Sequence, residues 1–95
     1  MKVSIQSPEY KQVLAKLIEM RAKAGLTQRE LARKLEREYS FVWRIETGRR
    51  RLDVVEFCWV CKALGQDAGE MYQEVFGKMR SLRVTSSAQR KNSNA

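Results

Sequence analysis

Residues 26–51 constrain the fold of this chain more than any other stretch. Thr27 and Glu30 form a T-x-x-E capping box, in which each side chain accepts from the backbone N–H of the other, so a helix begins at Thr27 or Gln28. Residues 36–39 contain no apolar anchor and are long enough only for a sharp turn. Apolar residues recur at helical spacing on both sides of the turn, as Leu31, Ala32 and Leu35 and then as Phe41, Val42 and Ile45. Two helices so closely connected must cross at a steep angle.

A further helix is predicted before this pair. Ser7 and Pro8 supply an N-cap and a proline at the first helical position, and Gly25 is placed to end the helix in the left-handed conformation. The predicted apolar face of this helix is Val13, Leu14, Leu17, Ile18 and Met20.

Two more helices are predicted after Gly48, which is a second terminal glycine. Asp53 caps a fourth helix over residues 54–64, and Asp67 caps a fifth that runs to about residue 76. The inward-facing residues of the fifth helix are predicted to be Met71, Tyr72 and Val75. The sequence therefore predicts an all-α fold of five helices over residues 8–76.

Residues 1–7 and 77–95 flank this helical domain. Val3 and Ile5 alternate with polar residues, so the first segment is either a frayed arm, which we favour, or a brief strand. The last segment is basic and polar, and we expect most of it to be disordered. This tail could follow a phosphate backbone, add a strand at a dimer interface through residues 82–85, or serve only solubility.

The charge of the chain favours a polyanionic partner. The net charge is +8, and residues 21–51 hold ten Lys or Arg against four acids, whereas residues 52–76 hold one Lys against five acids. Phosphate would therefore be met by the two helices around the turn. No stretch has the length and apolarity of a membrane span, and no signal-peptide pattern opens the chain, so we expect a cytoplasmic protein without a membrane partner.

Residue chemistry argues against catalysis. The chain has 95 residues, no histidine and two cysteines, which form a C-x-x-C at Cys58 and Cys61. A closed zinc site needs more ligands, and a redox cysteine would be placed nearer a helix N-terminus than Cys58 is. We interpret both cysteines as small core residues. With no carboxylate pair, metal cluster or phosphate loop, we predict neither enzyme activity nor a cofactor or metal.

Four runs of residues carry a resemblance to a known family: LTQRELARKL at 26–35, SFV at 40–42, RIETGRR at 44–50 and RLDVVEF at 51–57. They resemble the Cro/repressor-type helix-turn-helix proteins of the XRE family. The resemblance implies a lambda-repressor-like domain that binds double-stranded DNA as a homodimer on an inverted-repeat operator and represses transcription. The alternatives are an antitoxin or a phage or restriction autoregulator of the same fold, with a protein partner such as a toxin, or a protein–protein interaction module.

The resemblance also implies roles for individual residues. The third helix would enter the major groove, where base edges can be distinguished. Its base-reading positions are matched by Glu38, Tyr39, Ser40 and Arg44, with Trp43 bordering the same face. The positions that would contact DNA phosphates are matched by Thr27, Gln28, Arg37, Phe41, Arg49 and Arg50. Gln28 would also brace the third helix, and a structural ion pair would join Arg21 to Glu46.

Two residues depart from the family pattern. Glu36 stands where the family usually has glycine, so either its backbone is strained or the turn is differently shaped. Glu38 places a carboxylate at the groove entrance, where it would accept from cytosine or pair with Arg37 or Arg44.

Trp59 lies on the fourth helix where the family more often has a polar residue. An exposed tryptophan on a small domain is usually covered, here by the tail or by a second subunit. We predict a homodimer interface formed by Trp59, Met71, Tyr72 and Phe76.

Overall fold

The computed structural model describes residues 7–77, which form helices and connecting turns. The helices are α1 (Pro8–Lys23), α2 (Gln28–Lys34), α3 (Tyr39–Glu46), α4 (Val54–Ala63) and α5 (Ala68–Phe76). The predicted all-α fold class is confirmed for these residues. The predicted arm and tail, apart from Ser7 and Gly77, lie outside the described residues.

Local side-chain caps explain where the helices begin. The Ser7 hydroxyl accepts from the Tyr10 N–H at 3.0 Å, at the start of α1. Thr27 and Glu30 form both bonds of their capping box, at 3.0 and 2.8 Å. Asp53 and Glu56 do the same at the start of α4, at 2.7 and 3.0 Å. A side-chain cap contributes about 1 kcal/mol to helix stability, so these starts are set by nearby sequence.

One core joins the helices. α3 packs against both α1 and α2, and α5 packs against α1 and α4. The tyrosine hydroxyl of Tyr10 also accepts from the Leu52 N–H at 3.0 Å, which ties α1 to the chain between α3 and α4. The buried apolar residues are Val13, Leu17, Met20, Leu31, Ala32, Phe41, Val42, Ile45, Val60, Cys61, Leu64, Met71 and Val75.

Three side chains predicted to face this core are exposed instead. Ile18 is 38% exposed, Tyr72 is 56% exposed, and Cys58 is also on the surface. Ile18 and Tyr72 each follow a buried residue directly, and one step along a helix turns the side chain by about 100°. The apolar faces predicted for α1 and α5 were therefore too wide at these positions.

Candidate nucleic-acid interface

The carboxylate of Glu46, at the end of α3, holds α3 to the first two helices. Arg21 of α1 donates to it from Nε at 2.6 Å and from Nη2 at 3.0 Å, and Gln28 Nε2 of α2 donates at 2.7 Å. The Glu46 side chain is only 6% exposed. Arg21 also donates to the Leu26 carbonyl at 2.9 Å, so the same side chain fixes the chain entering α2. Arg21 and Glu46, which were predicted to form an ion pair, and Gln28, which was predicted to brace α3, are thus in direct contact.

The outer face of α3 is open to solvent along most of the helix. Tyr39 and Trp43 lie one turn apart on this face and are 43% and 38% exposed. Glu38, the N-cap of α3, is exposed, and Ser40 Oγ donates to it at 3.5 Å. Arg44 is exposed and has no ion-pair partner within residues 7–77. The five predicted base-reading residues therefore lie along α3, from its N-cap to its last turn.

A polar pocket of about 360 Å³ lies beside this face. Three guanidinium groups and two carboxylates line it, so the pocket offers a ligand both hydrogen-bond donors and acceptors. The lining residues are Glu36, Arg37, Glu38, Ser40, Phe41, Arg44 and Arg50.

The backbone of Glu36, in the turn between α2 and α3, is left-handed, with φ = 57°. Its N–H donates to the Arg33 carbonyl at 3.0 Å, and the Arg37 N–H donates to the Ala32 carbonyl at 2.9 Å. These two bonds form the Schellman arrangement that commonly ends a helix on glycine. The turn therefore keeps the shape that glycine would give, and Glu36 is strained.

The placement of Phe41 does not agree with the prediction that it contacts phosphate. Its side chain is 7% exposed and belongs to the core. Its N–H donates to the Glu38 carbonyl at 2.9 Å and is not free for another acceptor. The guanidinium carbons of Arg37 and Arg50 lie 4.6 and 4.9 Å from the centre of the Phe41 ring.

Arg50, also predicted to contact phosphate, is engaged inside the protein. Its Nη1 and Nη2 donate to the two carboxylate oxygens of Glu56, both at 2.8 Å, and Nη1 also donates to the Arg51 carbonyl at 2.9 Å. Glu56 is buried, and Arg37 Nη2 lies 3.9 Å from it. The hydrogen bonds from Arg50 lower the pKa of Glu56, and the same bonds raise the pKa of Arg50. Arg50 therefore links the end of α3 to the start of α4.

The burial of Glu56 could not be predicted from the sequence because burial is a tertiary property. The D-x-x-E spacing from Asp53 signals a capping box and would have found its local role. Nothing in the local sequence indicates that Arg50 folds back over it.

The other residues predicted to contact phosphate surround α3. Thr27 and Gln28 lie at the start of α2, Arg37 lies in the turn, and Arg49 follows α3. The Arg49 guanidinium lies 4.9 Å from the centre of the Trp43 ring. Arg29, which was not among the predicted phosphate contacts, lies in the same way over Tyr39, with its guanidinium carbon 4.6 Å from the ring centre.

The residues predicted to form a dimer interface fall into two groups. Met71 is 5% exposed and part of the core, so the prediction that it contacts a second subunit is wrong. Trp59 is 49% exposed, and Tyr72 is exposed with its ring 4.6 Å from that of the half-buried Phe76. Trp59 also lines a groove of about 340 Å³ with Lys34, Leu35, Glu36, Lys62 and Ala63.

The C-x-x-C does not form a reactive pair. Both cysteines are free, and burial raises the pKa of the Cys61 thiol to about 11, which keeps it protonated. Among residues 7–77, no group of three or more His, Cys, Asp or Glu side chains is placed to hold a metal ion. None of the helices that the structure describes has the length and apolarity to cross a bilayer.

Two short helices around a tight turn, with an exposed outer face on the second and a buried ion pair on its inner side, define a helix-turn-helix domain. A family model described as a helix-turn-helix domain matches residues 12–72. A search of curated proteins finds no match to the sequence.

Solved structures give the family in more detail. An XRE-family like protein from Pseudomonas syringae pv. tomato is 40% identical, with a TM-score of 0.71 over 73% of this chain and 84% of that one. The clp gene regulator ClgR from Corynebacterium glutamicum is 27% identical, with a TM-score of 0.67 over 81% of this chain and all of that one. A second ClgR structure is 26% identical, with a TM-score of 0.66 over 94% and 90% of the two chains. The chain belongs to the XRE-type helix-turn-helix family and is a DNA-binding transcriptional regulator.

Proposed function

We propose that the protein is a repressor that binds an inverted-repeat operator as a homodimer. The observation that carries this proposal is the exposed outer face of α3, where Arg44 has no ion-pair partner among the described residues. A guanidinium group that is not paired within the protein can donate both arms to guanine O6 and N7 in the major groove.

Base discrimination would rest on a few side chains around Arg44. Glu38 and Ser40 are already within 3.5 Å of each other and line the same pocket as Arg44. A carboxylate there can accept from cytosine N4, and a hydroxyl can donate or accept. Tyr39 and Trp43 complete the contact surface on the exposed side of the helix.

Phosphate contacts would set register and affinity. Thr27, Gln28, Arg37 and Arg49 surround α3, and each can donate a hydrogen bond to a phosphate oxygen. Each phosphate neutralised by a cation gives a slope of about −0.9 in the dependence of log affinity on log salt. Binding is therefore expected to weaken steeply as salt increases.

The exposed face of α4 supports self-association. Val55 is 51% exposed and Trp59 is 49% exposed, and both lie at i, i+4 spacing with Cys58 between them on the surface. Tyr72 and Phe76 of α5 add two rings, of which Tyr72 is exposed. Covering these side chains with a second copy would remove apolar surface from water.

We propose repression and not activation because a protein bound across a promoter blocks it by occupancy and needs no contact with another protein.

The test of the proposal is selection of bound duplexes from a random library. The expected result is an inverted repeat whose half-site centres are about 34 Å apart, in successive major grooves. Enrichment of a single asymmetric site, or of none, would contradict it.

The dimer is tested by sedimentation of the full chain at micromolar concentration. We expect a dimer that dissociates more readily after Trp59→Ala. Trp43→Ala, which removes the exposed tryptophan of α3, is the matched control and is expected to leave the association unchanged. A monomer whose sedimentation Trp59→Ala does not alter would refute this interface.

The groove at Trp59 supports a second candidate function, contact with a different protein. Its apolar floor is bordered by two lysines, Lys34 and Lys62. This function would replace the first one if the protein failed to bind any duplex at low salt.

A further inference from the structure

An arginine from a neighbouring segment lies over the ring of each exposed aromatic residue of α3. The Arg29 guanidinium carbon lies 4.6 Å from the centre of the Tyr39 ring, and that of Arg49 lies 4.9 Å from the centre of the Trp43 ring. Arg29 comes from the first turn of α2, and Arg49 from the chain just after α3. Within residues 7–77 neither arginine has a carboxylate partner.

The third aromatic residue of α3 provides a contrast. Phe41 is buried, and the Arg50 that lies over it donates both arms to Glu56. The N–H donors of Arg50 therefore have acceptors inside the protein. Arg29 and Arg49 are different, because a guanidinium group over a ring keeps its N–H donors in its own plane, where they are free for another acceptor.

We infer that Tyr39 and Trp43 are positioning residues whose rings hold Arg29 and Arg49 for contact with DNA phosphates. This makes Arg29 an additional phosphate-binding residue. The inference rests on the proposed function, since it requires α3 to enter the major groove.

The dimensions of helix and groove support these roles. An α-helix with its side chains is about 10–12 Å across, and the major groove is about 12 Å wide, so groups beside the helix meet the sugar-phosphate walls. Arg29 and Arg49 are held beside α3 at rings one helical turn apart. A long, flexible side chain loses conformational entropy when a contact orders it, and the ring reduces that loss by ordering the arginine in advance.

The test is a double-mutant cycle on binding to a mixed-sequence duplex, measured over a range of NaCl concentrations. The variants are Arg29→Ala, Tyr39→Phe, Tyr39→Leu and the double variant Arg29→Ala/Tyr39→Leu. Lys11→Ala removes an exposed cation of α1 and controls for net charge. Circular dichroism checks folding, and Tyr39→Phe keeps the ring in any case. Arg49→Ala, Trp43→Phe and Trp43→Leu repeat the cycle for the second pair.

We expect Arg29→Ala to reduce the salt slope by about 0.9 and Lys11→Ala to leave it nearly unchanged. Tyr39→Phe should bind as the unaltered protein does. Tyr39→Leu should weaken binding about threefold, and this effect should vanish in the Arg29→Ala background.

Other results would overturn the inference. If Tyr39→Leu weakens binding equally in both backgrounds, or shifts the preferred base at one position of selected duplexes, Tyr39 reads a base and does not hold Arg29. An unchanged salt slope in Arg29→Ala would remove Arg29 from the phosphate contacts while leaving the proposed function intact. Failure of the unaltered protein to bind any duplex would overturn the proposed function itself, and the inference with it.

Discussion

At the scale of single residues, the side chains that hold α3 in place differ from those proposed to contact DNA. Glu46 receives three hydrogen bonds from Arg21 and Gln28 and is buried behind α3. Arg44, on the outside, makes no such bonds within the described part of the chain. Substitutions at these two positions should therefore give opposite results in stability and in DNA recognition.

Glu46→Ala is expected to destabilise the fold severely. Removing one partner of a buried ion pair costs about 3–5 kcal/mol, a large part of the roughly 5–15 kcal/mol by which a small domain is stable. Thermal unfolding followed by circular dichroism measures the effect. Glu19→Ala removes a carboxylate that is 53% exposed and is the matched control, with an expected cost below about 1 kcal/mol. An unchanged melting temperature in Glu46→Ala would show that the pair does not support the fold.

Arg44→Ala is expected to leave the melting temperature unchanged and to alter sequence preference. The loss of one bidentate base contact costs about 1–3 kcal/mol at a single base pair and relaxes discrimination there. Binding of duplexes substituted one position at a time measures this. Arg49→Ala should instead weaken all duplexes alike, because a phosphate contact carries no sequence information. Uniform weakening by Arg44→Ala would place Arg44 among the phosphate contacts.

At the scale of the helices, four C-termini use the same backbone arrangement, and one of them lacks glycine. Gly25, Gly48 and Gly65 end α1, α3 and α4 with φ between 74° and 78°, and Glu36 ends α2 with φ = 57°. In each case the N–H of this left-handed residue and the N–H of the residue after it both donate to carbonyls of the last helical turn. A residue with a Cβ pays about 1–2 kcal/mol for this conformation, whereas glycine does not.

Glu36→Gly is therefore expected to stabilise the domain by about 1 kcal/mol, because glycine's greater freedom in the unfolded chain offsets part of the gain. For a domain of this size the melting temperature should rise by about 4–8 °C. Glu36→Ala keeps the backbone strain while removing the carboxylate. If Glu36→Ala stabilises the protein as much as Glu36→Gly does, the carboxylate and not the backbone is the source of the cost.

The helices could be predicted from sequence because their starts and stops depend on neighbouring residues. Thr27 with Glu30, and Gly25 and Gly48, act within one or two turns of chain. Side-chain environments across the core were predicted less well. Phe41 was assigned to DNA, and Arg50 was assigned to phosphate when its hydrogen bonds go to Glu56. The burial of Phe41 and the ion pair of Arg50 could not be predicted because burial and side-chain direction depend on how the helices pack, which the local sequence does not encode.

At the scale of the whole molecule, Glu56 connects the helix-turn-helix to the second half of the domain. It caps α4, accepts both arms of Arg50, and lies 3.9 Å from Arg37 in the turn. The position of α4 relative to α3 is therefore held partly by a charged group, and it should respond to pH.

Acid is expected to destabilise the domain through Glu56. Because the pKa of Glu56 is lower in the folded protein than its ordinary value of 4.5, folding favours the charged form. The resulting stabilisation is fully present above pH 4.5 and is lost as the pH falls through the lower folded pKa. Glu56→Gln should lose about 2 kcal/mol at neutral pH, less than for a fully buried pair because Arg50 is more than one-third exposed.

Urea unfolding between neutral and acidic pH measures this dependence. The difference in unfolding free energy between the unaltered protein and Glu56→Gln should shrink below pH 4.5. Arg50→Gln, which removes the partner, should reduce the same acid dependence. A difference that stays constant over the whole range would mean that Glu56 contributes nothing that depends on its charge.

The buried carboxylate of Glu46, on the inner side of α3, has a consequence for how duplicated copies of the gene diverge. Three hydrogen bonds fix the helix from its inner side, while Glu38, Tyr39, Trp43 and Arg44 lie outside that network. Exposed substitutions usually change stability by less than about 0.5 kcal/mol. After duplication, one copy can therefore change the residues proposed to read bases, and with them its target site, without losing its fold.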